Sequence, residues 1–176
     1  MTRSLDPGPS LAWRLLKYRW LITISAAVLL VDQASKAWIR ARLPFNTYGE
    51  AEGAIPVIRG FFYIVHVGNT GAAWSILSGR SFLLAALAAA TLAAIFLWRR
   101  ALGLGARYAQ VCFGLLCGGI AGNLVDRLTC GHVVDFLDFH FGTHVYPTFN
   151  LADSAICVGV ALYIYSSLKT PRLVAS

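Results

Sequence analysis

Residues Gly118–Ile156 read GGIAGNLVDRLTCGHVVDFLDFHFGTHVYPTFNLADSAI, and the rest of the chain is organised around them. The stretch holds four of the eight acidic residues, Asp126, Asp135, Asp138 and Asp153, between and inside two long apolar runs. An ionisable group at the end of an apolar run is expensive in a bilayer and marks a functional position. Whether these runs meet a bilayer is decided by the remainder of the chain.

Working outward, the 176 residues are 57% hydrophobic and 13% charged, with a mean hydropathy of +0.64. Soluble domains carry about 25% charged residues, so this composition defines a membrane protein. The length suits one membrane-embedded domain over 1–176. A net charge of +7 would suggest nucleic acid in a soluble protein. Here the cations flank apolar runs and set topology, and no nucleic-acid partner is expected. Of four cysteines, Cys112, Cys117 and Cys157 lie in apolar runs and Cys130 in a connection, without C-x-x-C spacing.

The expected architecture is an all-α membrane protein with four transmembrane helices over 20–38, 81–98, 108–124 and 149–168. Residues 1–12 read as disordered. The first run follows Arg14, Lys17 and Arg19 like a signal peptide, but continues through Asp32 and Lys36 to Trp38, long enough for a retained span. Trp20, Trp38, Trp98, Tyr108 and Tyr165 mark interfacial ends. Arg3, Arg14, Lys17, Arg19, Arg99, Arg100, Arg107, Lys169 and Arg172 outnumber the basic residues of the opposite face, which places both termini in the cytoplasm. The 43–78 segment carries a strand-like FFYIVHV (61–67) and a Gly68–Gly71 turn, and predicts a small β-rich cap on the outer (periplasmic) side. Residues 125–148 are expected as an outer loop.

This topology has a consequence for chemistry. It carries Asp32, Lys36, Asn123 and Asp126 to the outer ends of spans one and three, and Asn150 and Asp153 to the outer start of span four. Asp32 and Lys36, four apart, share a helix face and can pair. Asn123, Asp126 and Arg127 form one polar stripe, with Gly114, Gly118 and Gly122 behind it as a close-packing stripe. Arg127 is placed to neutralise an acid or hold a substrate carbonyl. Asn150 is positioned as a helix cap. Asp153 and a second acid, Asp135 or Asp138, could share one proton. Such a pair activates water and protonates a carbonyl without metal, cofactor or covalent intermediate.

Three other chemistries compete. Lys36 could serve as base for Ser154. His140 and His144 have a spacing that suits zinc, but the H-E-x-x-H glutamate is missing and the intervening FGT does not read as helix. A small proton-coupled transporter would also carry intramembrane acids, yet the polar cluster sits at one end only and no inverted repeat is present.

Five blocks carry a resemblance: DQASK (32–36), NTGAAW (69–74), NLVDR (123–127), VVDF (133–136) and FNLADSAI (149–156). In this order, over roughly residues 15–170, the chain resembles the bacterial lipoprotein signal peptidases, the type II signal peptidases. The resemblance implies an intramembrane aspartyl endopeptidase of the bacterial inner membrane. Such an enzyme would cut diacylglyceryl prolipoproteins just before the lipidated cysteine. It implies Asp135 and Asp153 as the catalytic pair. Asn69, Asn123, Arg127 and Asn150 would line the site, and Asp32, Lys36 and Asp126 would support it. It also implies membrane lipid as a partner and inhibition by globomycin-type cyclic peptides, whose hydroxyl would lie between the aspartates. Trp74 departs from the phenylalanine common at that position.

Overall fold

A computed structural model describes residues 16–72 and 76–169. The expectations for residues 1–12, for the cations Arg3, Arg14 and Arg172, and for Trp74 fall outside the described residues. Helix α1 runs over Arg19–Arg42, β1 over Ile55–Ile58 and β2 over Phe62–Asn69. Helix α2 then runs over Ser81–Leu97 and α3 over Arg107–Thr129. Strands β3 (Val133–Phe141) and β4 (His144–Val145) lead to α4 (Leu151–Lys169).

Helices α1, α3 and α4 are long and apolar enough to cross a membrane, whereas α2 has only 17 residues. At 1.5 Å per residue α2 reaches about 25 Å, somewhat short of a hydrocarbon core of about 30 Å. The helices turn Leu30, Phe82, Phe96, Ile164 and Leu168 outward. In water such a belt would be a large exposed apolar patch.

Close packing sets the helix directions. Gln110 Nε2 donates to the Lys17 carbonyl at 2.9 Å, Ser25 Oγ to the Gly114 carbonyl at 3.1 Å, and Gln33 Nε2 to the Gly122 carbonyl at 3.1 Å. The partners advance together along both chains, so α1 and α3 run parallel. Helix α4 runs antiparallel to α3, with Asp153 beside Asn123 and Gly159 against Cys112. The ends of α1 and α3 therefore meet the start of α4, as the sequence led us to expect. The glycine stripe makes this possible. A Cβ on Gly118 would stand 2.7 Å from Val28 Cβ, and one on Gly122 would run into the Asp32 carboxylate.

The cap is one four-stranded antiparallel sheet in the order β1-β2-β3-β4, and this changes two expectations. The segment 125–148 is no loop: α3 continues to Thr129, and Val133–Phe141 forms the longest strand. The alternating β-branched and aromatic residues of VVDFLDFHF favour an extended chain, and β2 supplies its partner. The turn expected at Gly68 also starts later, because Gly68 and Asn69 remain paired with Val134 and Val133. A bulge on β2 between Ile64 and Val67 bends that strand beside Asp135. Thr47 N donates there to the His66 carbonyl at 3.2 Å. Gly142, with φ +63, turns β3 into β4 in a left-handed conformation that suits a two-residue hairpin.

The sheet is docked on the bundle by Ile39 and Leu43 from the end of α1, Val134 and Phe136 from β3, and Leu151 from α4. A second cluster, Ile95, Leu104 and Phe113, closes the opposite end. Replacing Gly118 with Leu should force α1 from α3 and cost about 1–3 kcal/mol, as overpacking does. Thermal unfolding in detergent should show a lowered midpoint, while Gly105→Ala, where a Cβ meets nothing within 4 Å, should leave it unmoved.

Candidate active site

The site grows from a buried ammonium. Lys36 Nζ lies 2.9 Å from Asp32 Oδ2, 2.8 Å from Asp126 Oδ2 and 3.0 Å from Asn123 Oδ1. An ammonium has three protons, and all three are committed. Lys36, Asp32 and Asp126 are all fully buried. Both carboxylates accept further donors. Asp32 Oδ1 accepts the Ala152 amide at 3.0 Å and Asp126 Oδ2 the Val134 amide at 3.2 Å. Gln33 Nε2 donates to both carboxylates, at 3.2 and 3.1 Å. One charge cluster thus ties α1 to α3, to the first turn of α4 and to β3.

From this cluster hydrogen bonds lead to two further carboxylates. Asn123 Nδ2 donates to Asp153 Oδ1 at 2.7 Å. Asn150 Nδ2 donates to Asp135 Oδ1 at 2.6 Å and lies 3.3 Å from Asn123 Oδ1. Asn69 Nδ2 donates to Asp135 Oδ2 at 2.9 Å. Asn150 is also the cap of α4: its Oδ1 accepts the Asp153 amide at 3.0 Å, and Asp153 Oδ2 accepts the Asn150 amide at 3.3 Å. This reciprocal pair is a capping box. The cap reading of Asn150 is realised, and its side chain is fully buried.

Asp135 is almost fully buried on β3. Burial first, and the nearby charge of Asp153 second, push its carboxyl up to about 7, against the hydrogen bonds from Asn69 and Asn150. A proton is therefore available on Asp135 near neutral pH.

Arg127 donates through Nη2 to the Gly71 carbonyl at 3.0 Å and so holds the 69–72 segment at the rim. Its buried Nε has no hydrogen-bond partner among the described residues. Asp135, Asp153, Asn69, Asn123 and Arg127 line one cavity of about 400 Å³, whose far wall is Val133, Phe149, Ile156 and Cys157. A second, larger cavity of about 740 Å³ shares Asn69, Ala72, Asp135, Tyr146, Pro147 and Thr148 with the first and extends to Tyr48, Gly49 and His140.

The alternatives read from spacing are not assembled. Ser154 Oγ donates to the Asn150 carbonyl at 3.0 Å, and Lys36 has no proton or lone pair free for it. His140 pairs with Val145 and Phe141 with His144, so His140 and His144 point to opposite faces of the hairpin and cannot share a metal. Asp138 is turned toward Gly49, His140 and Thr148 and away from Asp153's partners. Gln33 and Thr148 escaped the sequence reading. Gln33 had a signal, being a second polar residue beside Asp32 inside an apolar run.

With this geometry in place, comparison with known proteins is direct. The family model described as Signal peptidase (SPase) II matches residues 24–169. A lipoprotein signal peptidase of Geobacter metallireducens is 41% identical over 88% of this chain and 94% of its own. One from Nitratidesulfovibrio vulgaris is 38% identical over 89% and 93%. A solved bacterial membrane enzyme, determined in meso at 2.3 Å, superposes with a TM-score of 0.74 at 32% identity, over 88% of this chain and 94% of that one. A second, at 1.9 Å, gives 0.71 at 34% identity, over 85% and 92%. The fold is that of a multi-pass membrane enzyme, and the family is one of proteases. The chain belongs to the signal peptidase II family.

Replacing Lys36 with Met leaves Asp32 buried without its cation and Asp126 with the more distant Arg40 Nη1, 3.8 Å from its Oδ1. Breaking such a pair typically costs about 3–5 kcal/mol. Unfolding in detergent should show a loss of this order for Lys36→Met and a smaller one for Gln33→Leu, which removes only neutral donors.

Proposed function

We propose that Asp135 and Asp153 are the catalytic pair of an aspartyl endopeptidase that removes the signal peptide from diacylglyceryl-modified prolipoproteins, cutting before the lipidated cysteine. The observation that carries this reading is Asn150, which holds one carboxylate through its side chain and the other through its amide. Two acids so placed share one proton, and the proton belongs to the pair. The ionised member takes a proton from a water between them, and the resulting hydroxide attacks the scissile carbonyl carbon. The other member donates its proton to the carbonyl oxygen. Collapse of the tetrahedral intermediate returns that proton to its carboxylate. The acid formed in the first step protonates the leaving amine, so no metal or cofactor is needed.

The cavities suit such a substrate. The polar side, with Asn69, Asn123 and Arg127, receives the backbone near the bond to be cut, with Asn150 buried against Asp135, and the Nε of Arg127, without a partner among the described residues, is available to a substrate carbonyl. Val133, Phe149 and Ile156 offer an apolar wall to the signal helix and acyl chains. Asp32, Lys36 and Asp126 keep the Asn residues in place.

In this reading α2 crosses as a fourth span, and residues 1–176 act as a single peptidase domain in the bacterial inner membrane. Both termini are cytoplasmic and the sheet rests on the periplasmic face. The excess of Arg and Lys at the end opposite the site supports that orientation. Membrane lipid surrounds the helices, and a globomycin-type cyclic peptide inhibits by placing its hydroxyl between the two carboxylates.

Cleavage of a lipidated prolipoprotein by the purified enzyme should resist EDTA. Asp135→Asn and Asp153→Asn should each lose at least about a hundredfold, the scale of a general acid or base, while still binding the cyclic peptide. EDTA-sensitive cleavage with active variants would sink the reading.

The pH profile gives a separate check. Asp135 sits above its ordinary carboxyl value, so kcat/KM should fall with a one-proton limb near pH 7 as the pair loses its last proton. It should fall again in acid, where both members are protonated. Activity that stays flat to pH 9 would exclude a protonated Asp135 as the acid.

A further inference from the structure

Asp138 is the one fully buried acid of the cap that the proposed chemistry leaves unused. Its surroundings give it a different task. Asp138 Oδ2 accepts the Gly49 amide at 2.9 Å and lies 2.9 Å from His140 Nε2. Its Oδ1 accepts the Thr148 hydroxyl at 3.4 Å. Gly49 belongs to the segment between α1 and β1, whereas Thr148 lies two residues before Asn150. One carboxylate therefore joins two stretches that are far apart in sequence.

Both stretches line the larger cavity, which continues from Asp135 over the sheet and includes Tyr48, Gly49 and Thr148. A peptide lying across Asp135 has its signal side in the bundle cavity and its other side here. The near segment is fixed at further points. Tyr63 Oη donates to Glu50 Oε1 at 2.7 Å, and the Tyr63 ring meets the His140 ring edge-on at 5.2 Å. Gly49 has φ +50, and a Cβ there would stand 3.0 Å from His140 Cε1. The backbone comes this close because the carboxylate draws its amide in. Three donors need an acceptor-only side chain. Asparagine has one acceptor oxygen, and its amide would face a donor.

We propose that Asp138 is a positioning residue of the peptidase, a clasp that holds the 47–53 segment against the stretch leading into α4 and so fixes the cavity taking the substrate backbone beyond the scissile bond. The inference rests on Asp135 and Asp153 being the catalytic pair, since that places the bond at the junction of the two cavities.

The test separates binding from chemistry and also reads the clasp without catalysis. Asp138→Asn and Asp138→Ala should raise KM for a lipidated prolipoprotein by about tenfold, keep kcat within about twofold, and leave the limb near pH 7 in place. Hydrogen exchange of the full chain in detergent should quicken over 47–53 and 145–149, while 120–129 stays protected. Thr148→Val and Gly49→Ala each disturb one arm, and should move KM and local exchange the same way if the Asp138 variants fold poorly. A collapse of kcat at constant KM would overturn the proposal by making Asp138 part of the chemistry. Unchanged exchange over 47–53 would overturn it too. Failure of the wild type to cleave any lipidated precursor would strike the peptidase reading instead, and the exchange arm would still judge the clasp.

Discussion

The structure depends on one ammonium kept out of water. Two buried acids and an amide oxygen surround Lys36 Nζ. None of the four groups is tolerable alone at that depth. Once assembled, the cluster fixes more than its own members. Through Asp32 it holds the amide of Ala152, through Asp126 that of Val134, and through Asn123 a carboxylate of the site. Apolar packing between lipid-facing helices is weakly directional, because lipid tails are as apolar as leucine. The buried charges supply the register that such packing lacks.

The site is therefore shared between two kinds of scaffold. Asp153 stands in the first turn of a helix, and Asp135 stands on a strand whose pairing with β2 places Val67 opposite it. Neither element could bring both. The bulge in β2 and the dock of Val134 and Phe136 on Ile39 set the height of the strand over the bundle. Burial at this junction, together with the nearby charge of Asp153, also explains the raised carboxyl value of Asp135.

Much of this was legible in the chain. The i, i+4 pairing of Asp32 with Lys36, the polar stripe at the end of α3 and the small-residue row behind it all follow from helical periodicity, and cation placement gave the convergence at one end. The strand carrying Asp135 was harder to read. Its acids drew attention as chemistry, and strand pairing depends on a partner some seventy residues earlier. The choice between Asp135 and Asp138 could not come from spacing, because their difference lies in which donors face them. Gln33 illustrates the same limit. Its neighbours are known only once α1 and α3 are set side by side.

The capping box at Asn150 has a consequence beyond geometry. The hydrogen bonds that begin α4 are made by the same two side chains that complete the acid pair. Helix ends usually fray at little cost, since water replaces what is lost. Here fraying by one turn would also release Asp153 and strip Asp135 of a donor. Helix start and acid pair are thus a single cooperative unit, and no loosened form keeps the two carboxylates in place. With Asp135 and Asp153 as the proposed catalytic pair, that coupling would act as a safeguard: a molecule that begins to come apart would be disarmed before it could cut its neighbours.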